Sequence, residues 1–320
     1  MRKAIVVLTG VFVLQILLVA GFSWRESGSR DTPAAATPLL ELSTDAIDGI
    51  RIEGEGQTAL LRKSENGWKL PDYHGLPVDE SKRTGLIDQL STIELTWPVT
   101  TTAGSVDRFE VGNDNFQRRL VFLQGDTVLQ ELFLGTSPGF RQVHARKAGQ
   151  DAVYAIEFSN FQATSDPKDW FDKGLLQPTG EITRIAGDGF VLRRQDTSWT
   201  LEGAEPEQEI DTDTANQLRN RLQNLRVIAP VENSSGLEHK QPVFSLTLSG
   251  AEADTRYDFY QQNERYIVHA SPHPGYFEIA DYVTEALMKI DRDSLLTTAG
   301  TTATPDERSQ PVKTGEQTMP

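Results

Sequence analysis

Apolar residues recur at helical spacing in two stretches of the chain, 78–95 and 210–227, and the two stretches match each other. Each begins with an apolar residue followed by Asp, and the i, i+4, i+7 spacing places three apolar side chains on one helix face. Asp79 and Asp211 are predicted N-caps, which accept hydrogen bonds from the first turn. The apolar positions are Leu86, Leu90 and Ile93 and, 132 positions later, Leu218, Leu222 and Leu225.

Alternation of apolar and polar residues predicts strands around the first helix. Segments 50–52, 59–62 and 68–70, with a turn at 64–67, predict antiparallel hairpins with Trp68 on the inward face. The segment 158–176 is predicted to have helical character. Further strands are predicted at 118–123, 129–135, 142–145 and 152–156.

The same order of elements recurs after residue 177, with Trp199 in the place of Trp68. The predicted fold is α+β: an N-terminal transmembrane helix, then two tandem β-rich repeats, each with antiparallel hairpins and one or two helices. Strands are predicted at 181–185, 190–194, 244–248, 256–260, 266–270 and 276–279, and a further helix at 282–290. The predicted parts are an anchor at 1–24, a linker at 25–43, repeat domains at 44–177 and 178–296, and a disordered tail at 297–320.

The N-terminus predicts export from the cytoplasm. Arg2 and Lys3 precede an apolar run over 4–22, long enough to span a bilayer, and Trp24 follows at the expected interface. An uncleaved single-pass anchor is predicted, with a cleaved signal peptide as the alternative. Both interpretations place the rest of the chain outside the cytoplasm.

Composition excludes several classes of function. The 320 residues include no Cys, so no disulfide, thiolate metal site or lipid-modified cysteine is possible. The formal charge of −15 argues against nucleic acid, because such partners require clustered Lys and Arg. The chain has no Gly-rich phosphate loop, so it is not itself an ATPase.

The repeated motifs resemble the bacterial domain-of-unknown-function family DUF4340. The resemblance rests on Gly67-Trp68 and Ser198-Trp199, on the Asp-capped helices, and on the Asp-x-x-Leu-Leu-type ending at 172–176. One departure is Phe109-Glu110-Val111, and later 236–238, where a Phe-Gly-Leu-like step is usual. The resemblance implies an auxiliary protein of a gliding-motility-type ABC transporter, with integral membrane transporter or envelope proteins as partners. It also implies anchoring in the bacterial inner membrane with the body in the periplasm, and it supplies no catalytic residue.

One motif carries a candidate catalytic serine. Residues 135–139 match the G-x-S-x-G pattern of serine hydrolases, with Ser137 at its centre. A nucleophile elbow needs a helix directly after the serine, whereas residues 140–144 alternate like a strand. Asp281 could complete a triad order, but no His follows it. A Gly/Pro hairpin loop is the favoured interpretation.

Histidines and carboxylates give further candidates. His269 and His273 have a spacing that binds metal on a helix, but Pro272 and Pro274 argue against a helix there. Paired acids at Asp211 and Asp213, and at Asp291 and Asp293, fall at predicted helix ends, where capping is the ordinary explanation. Four aromatic residues, Trp68, Trp199, Tyr154 and Tyr276, could line a ligand groove, although their repeat-matched positions favour the core.

The sequence therefore predicts a protein that works by binding, with no catalytic, cofactor or metal residue assigned and no cofactor expected. The leading hypothesis is a membrane-anchored extracytoplasmic accessory or scaffold subunit of an ABC-type transport system. The alternative is a solute- or polymer-binding module that uses the cleft between the repeats. A remote alternative is an envelope serine hydrolase.

Overall fold

A computed structural model of the protein describes Gln15 and residues 36–250, 254–271 and 273–297. The described chain divides into two compact units, the first ending at Asp172 and the second beginning at Lys173. Each unit is built on an eight-stranded antiparallel sheet. The predicted boundary between repeat domains, at 177/178, lies five residues further along the chain.

Residues 36–172, the continuous described part of the first unit, form ten strands and one α-helix. Eight strands form one sheet in the order β10-β9-β8-β7-β2-β3-β4-β5, and β1 pairs with β6 in a separate two-stranded sheet. Leu39 and Leu40, which follow β1, are buried, so the folded chain begins inside the segment predicted as a linker. The elements are β1 (Thr37–Pro38), β2 (Gly49–Gly54), β3 (Gln57–Ser64), β4 (Gly67–Leu70), β5 (Leu76–Pro77), α1 (Glu80–Thr92), β6 (Glu94–Leu95), β7 (Arg118–Gln124), β8 (Thr127–Leu134), β9 (Gln142–Lys147) and β10 (Tyr154–Glu157).

The second unit contains eight strands and two helices. Its sheet has the order β13-β12-β11-β15-β16-β17-β18-β14. The elements are β11 (Arg184–Gly187), β12 (Phe190–Gln195), β13 (Ser198–Leu201), α2 (Thr212–Gln223), β14 (Val227–Pro230), β15 (Phe244–Ser249), β16 (Thr255–Gln262), β17 (Arg265–Ala270), β18 (Tyr276–Ile279) and α3 (Asp281–Met288). Short 3-10 turns lie at Thr44–Ala46, Ala103–Ser105, Asn160–Ala163, Pro167–Asp169 and Asp293–Leu295.

The two sheets share the order of seven strands. In the first unit this order is β4-β3-β2-β7-β8-β9-β10, and in the second it is β13-β12-β11-β15-β16-β17-β18. The eighth strand differs, because β5 is added beside β4 in the first unit whereas β14 is added beside β18 in the second. The two units therefore share a seven-stranded core, and their eighth strands lie at opposite edges of it.

The helix N-caps predicted from the sequence are confirmed. The Asp79 carboxylate accepts from the Lys82 amide at 3.1 Å, and the Asp211 carboxylate accepts from the Thr214 amide at 2.9 Å. The apolar stripes also face inward: Leu90 and Leu222 are both fully buried. Capping and burial together explain why these two polar-rich sequences form helices.

The helical character predicted for 158–176 is limited to two short turns, with no α-helix in the segment. The segment contains only the 3-10 turns Asn160–Ala163 and Pro167–Asp169. Pro167 occupies the first position of the second turn and removes a backbone donor, so a continuous helix cannot pass through it. Trp170 is nevertheless fully buried, because its indole N–H donates to the Thr164 carbonyl at 2.7 Å.

The predicted fold class, α+β with an N-terminal transmembrane helix, is corrected to a mainly β fold. Two eight-stranded antiparallel sheets dominate the described chain, which has three α-helices, because most of its apolar positions alternate at the two-residue period of strands. Within the described ranges, no helix is long and apolar enough to cross a membrane. Apart from Gln15, the predicted anchor at 1–24 lies outside the described residues, as does the tail from 298 onward.

Candidate functional site

The principal concave surface of the first unit lies between two loops. One loop joins β8 to β9 and contains the G-x-S-x-G motif, and the other follows β10 and contains the turn Asn160–Ala163. Two adjoining cavities of about 450 and 790 Å³ lie there, and both are lined by Ser137, Arg141 and Phe161. We call this surface the loop groove.

Two phenylalanines on the loop groove project into solvent. Phe140 and Phe161 are each 88% exposed, more than any other large apolar side chain in the described part of the chain. Arg141 lies beside them, with its guanidinium carbon 5.1 Å from the centre of the Phe140 ring. Exposed apolar groups framed by polar ones are typical of interaction sites in soluble proteins.

The backbone that carries Phe161 is fixed by Arg118, a β7 residue that is only 7% exposed. Its guanidinium donates to the Ala163 carbonyl at 3.1 Å, to the Gln117 carbonyl at 2.7 Å and to the Glu55 carboxylate at 2.7 Å. A buried guanidinium is stable only when its donors are satisfied, and here three acceptors converge on it. Phe161 is therefore displayed on a rigid segment.

A chain of side-chain amides holds the two loops together. The Asn160 amide donates to the Gln117 side-chain oxygen at 2.7 Å and to the Gly135 carbonyl at 3.0 Å, and Gln117 in turn donates to the Glu110 carboxylate at 2.7 Å. The side-chain oxygen of Asn160 is buried and accepts no hydrogen bond from the described residues.

The serine of the hydrolase-like motif has a structural role. The Ser137 hydroxyl lies 2.7 Å from the Gly139 carbonyl and 2.5 Å from the Gln142 carbonyl, so its proton is directed to the backbone of its own loop. Gly135 is required for packing, since a Cβ there would lie 1.9 Å from the Phe109 carbonyl oxygen. The motif forms a loop between strands β8 and β9 and lacks the helix that a nucleophile elbow needs.

The nearest histidine in the sequence is also committed to packing. Nδ1 of His144 shares a hydrogen bond of 2.9 Å with the Thr136 hydroxyl, and the ring lies 4.3 Å from the ring of Phe109. Burial lowers the pKa of His144, opposed by its contact with Thr136 and reinforced by the charge of Arg108. The imidazole is therefore neutral near pH 7.

His269 and His273 of the second unit are held by contacts within the protein. Nδ1 of His269 lies 3.1 Å from the Gly275 carbonyl, and its ring stacks on Tyr276 at 4.9 Å. Burial lowers the pKa of His273, with a smaller contribution from the charge of His269. Across the described ranges, no cluster of three metal-binding side chains occurs.

Two of the remaining carboxylate candidates, Asp211 and Asp291, accept hydrogen bonds from backbone amides. The amide of Thr214 lowers the pKa of Asp211, and that of Ser294 lowers the pKa of Asp291, through hydrogen bonds to each carboxylate. Such groups stay ionised, whereas an acid catalyst needs a raised pKa. Asp281 lies in the first turn of α3.

The repeated aromatic residues divide into two kinds. Trp68 and Trp199 are buried, as expected for core residues, and Trp199 donates from its indole nitrogen to Asn216 of α2 at 3.1 Å. Tyr154 and Tyr276 are only half-buried. None of the four lines the loop groove.

A second open cavity, of about 440 Å³, lies between α2 and α3 in the second unit. Tyr282, which is 76% exposed, lines it together with side-chain amides of α2 and its C-cap. The lining residues from this side are Gln217, Asn220 and Arg221 of α2 and the C-cap residue Asn224.

Sequence reasoning identified Ser137 of the loop groove but not its two exposed phenylalanines. Phe140 looked like part of a strand, and Phe161 fell within a segment predicted to have helical character. Large apolar residues that are buried, Val143 and Phe158, lie three positions from Phe140 and Phe161, so the spacing of apolar residues did not distinguish the exposed side chains from the core.

No curated protein and no solved structure matches the chain. The model of a domain of unknown function, DUF4340, matches residues 68–242, which is more than half of the 320 residues and includes parts of both units. The chain therefore belongs to the DUF4340 family.

Proposed function

We propose that this chain is an extracytoplasmic accessory subunit that acts by binding a protein partner and not by catalysis. The observation that carries the proposal is the pair Phe140 and Phe161, each 88% exposed on the rim of the same groove. Fully burying one such side chain is worth about 1.5–3 kcal/mol. Two of them on a rigid support can therefore anchor an interface.

The hydrogen bonds that hold the Phe161 segment favour binding, because they lower the entropic cost of ordering the loop. Arg118 and Asn160 already hold the Phe161 segment through hydrogen bonds to neighbouring backbone and side chains. Ordering a mobile loop on binding would consume part of the interaction energy, which a preorganised loop avoids.

The proposed setting follows from the sequence. Arg2 and Lys3 before the apolar run 4–22 support export of the folded body. Resemblance to auxiliary proteins of gliding-motility-type ABC transporters supports a membrane transporter as the partner. Within such an assembly the chain supplies a docking surface, while ATP hydrolysis belongs to another subunit.

The test is cross-linking and co-purification of the full chain from solubilised membranes. We expect Phe140→Ser combined with Phe161→Ser to abolish recovery of the partner without changing thermal stability, because both side chains are exposed. Val128→Ser is the matched control, since Val128 is 50% exposed on the β7–β8 hairpin, outside the groove. Unchanged recovery of the partner by the double variant would contradict the proposal.

A second candidate function is binding of a solute or polymer at the α2–α3 cavity. The exposed Tyr282 ring opposite side-chain amides suits a sugar, which stacks on aromatic faces and exchanges hydrogen bonds with amides. Glycan-array binding that is lost in Tyr282→Ala and retained in Phe140→Ser would favour this candidate. Absence of binding to any glycan by the intact chain would exclude it.

A further inference from the structure

The two units differ at one edge of their shared topology. In the second unit β14 hydrogen-bonds to β18 and completes the sheet on that side. In the first unit the equivalent strand, β10, is the last strand of its sheet. The segment that follows α1 forms β6 and pairs with β1 instead.

A common hydrogen bond aligns the two edges residue by residue. The Val231 amide donates to the Tyr276 carbonyl at 2.8 Å, and the Val99 amide donates to the Val153 carbonyl at 2.7 Å. Beyond that point, β14 continues along β18, with Ala229 opposite Glu278. In the first unit the chain diverges, and the Trp97 side chain is 57% exposed.

The divergence leaves outward-facing backbone groups on β10. His144 of β9 directs both its backbone N–H and its C=O to the β8 side of the sheet. Ala155 lies opposite His144 on β10, so the two residues form a non-hydrogen-bonded pair. The N–H and C=O of Ala155 therefore point away from the sheet, and by alternation so do those of Glu157. The Gln89 side chain approaches the Glu157 carbonyl only at 3.5 Å.

The surroundings of this edge are suited to a ligand. The cavity of about 790 Å³ in the loop groove is lined by Glu157 and Phe158, the residues at the end of β10, and Phe140 and Phe161 border it. At the uncovered edge of the second unit, β13, the Leu201 carbonyl accepts from the Ala204 amide in a local turn.

We propose that β10 binds its partner by strand addition: an extended segment of the partner protein lies antiparallel to Ala155–Glu157, in the position that β14 occupies in the second unit. The proposal specifies how the partner of the proposed function is held, and it rests on that function. Backbone hydrogen bonds supply the pairing, and the two phenylalanines cover the apolar side chains of the added strand.

Charge complementarity specifies one side chain of the added strand. The Glu157 carboxylate is exposed and has no ion pair within the described ranges. In the alignment above, Glu157 corresponds to Ala280, and continuing the register by one residue beyond the Val227–Ile279 pair brings Arg226 to the position opposite Ala280. A basic residue is therefore expected opposite Glu157, because opposite charges in directly facing cross-strand pairs stabilise the pairing.

The probe is a labelled synthetic peptide with the sequence of residues 226–232, Arg-Val-Ile-Ala-Pro-Val-Glu, which contains the strand that fills the equivalent edge. It is titrated against the purified full chain by fluorescence anisotropy, and hydrogen–deuterium exchange maps the contact. We expect slower exchange at the amides of Ala155 and Glu157 when the peptide is bound.

The variants separate backbone pairing from side-chain contact. Ala155→Pro removes the outward N–H without removing a bond to β9, and we expect about tenfold weaker peptide binding. Ala155→Thr is the matched control, since it keeps the N–H and suits a strand, so its affinity should stay within about twofold. Glu157→Lys should weaken binding by about two- to fivefold, as for an exposed ion pair, and a peptide with Arg226→Glu should restore it.

Equal affinity of the Ala155→Pro and Ala155→Thr variants would overturn strand addition, as would exchange protection confined to residues outside β10. These outcomes are independent of the partner itself. If the double phenylalanine variant loses the partner while Ala155→Pro retains it, the proposed function stands and strand addition is wrong. If no protein partner is recovered with the intact chain, the proposed function fails, and the peptide titration still decides whether the β10 edge accepts a strand.

Discussion

Truncating the central leucine of each helical stripe is expected to destabilise its unit strongly. Leu90 of α1 and Leu222 of α2 have no solvent exposure, so Leu→Ala at either position removes apolar surface from a closed core. The lost transfer free energy is about 1.5–3 kcal/mol for a fully buried leucine side chain. The cavity left behind adds to it, giving a total of about 2–5 kcal/mol for each variant.

The assay is urea denaturation of the full chain, followed by far-UV circular dichroism and by tryptophan fluorescence. Controls are Asp88→Ala in α1 and Gln217→Ala in α2, both exposed positions on the same helices. These controls should change the free energy of unfolding by no more than about 0.5 kcal/mol. A loss below about 1 kcal/mol for both leucine variants would refute the assignment of the stripes to the core.

Three further outcomes are expected. Tyr257→Phe should lower the free energy of unfolding by about 1–3 kcal/mol, measured in urea, because the buried hydroxyl donates to the Leu176 carbonyl at 2.7 Å and the carbonyl would lose its partner. Burial raises the pKa of Tyr257 to about 12, so the stability that its neutral hydroxyl contributes should be complete below pH 10 and be lost as pH rises through 12. A free energy of unfolding that stays constant up to pH 12 would contradict this expectation. Burial lowers the pKa of His144 below its usual 6.5, so the stability linked to its neutral form should be present above pH 6.5 and be lost as pH falls. In His144→Gln the urea denaturation midpoint should therefore depend less on pH between pH 7 and 5 than it does in the unaltered protein. The same pH dependence in both proteins would contradict this expectation. Ser137→Ala should leave partner recovery unchanged in the cross-linking assay, since the Ser137 hydroxyl donates only to backbone carbonyls of its own loop. Loss of the cellular role in a stably folded Ser137→Ala variant would instead favour the serine hydrolase hypothesis.

Local signals in the sequence predicted local structure well. Asp79 and Asp211 were identified as caps because a cap needs only one side chain and the next three residues. The hairpin turns were identifiable for the same reason, with Gly67 before Trp68 at a positive φ of 93° that favours glycine. In the segment 158–176 the predicted helical character is limited to two 3-10 turns, because Pro167 interrupts any common helix.

Strand pairing between distant segments could not be predicted from the pattern. Leu95 and Val227 follow matching helices at the same offset, and both are buried apolar residues at the start of an extended segment. One pairs with Thr37 and the other with Ile279, partners separated from them by more than 50 residues in each case. Periodicity reports which face of a strand is buried but not which neighbour it chooses.

That choice of partner gives two units of one topology different uncovered strand edges. An uncovered strand edge is a liability, because its free N–H and C=O groups can pair with any extended chain, and proteins protect such edges with charges or additional strands. In the second unit β14 provides the protection. In the first unit the uncovered edge carries the exposed carboxylate of Glu157, and this charge disfavours pairing with most extended chains. A strand with a basic residue opposite Glu157 is instead stabilised by the opposite charge. Because β6 pairs with β1, β10 stays uncovered, and its exposed charge makes the edge selective for strands with a basic residue. The nearby Phe140 and Phe161 add the apolar surface that backbone pairing alone lacks.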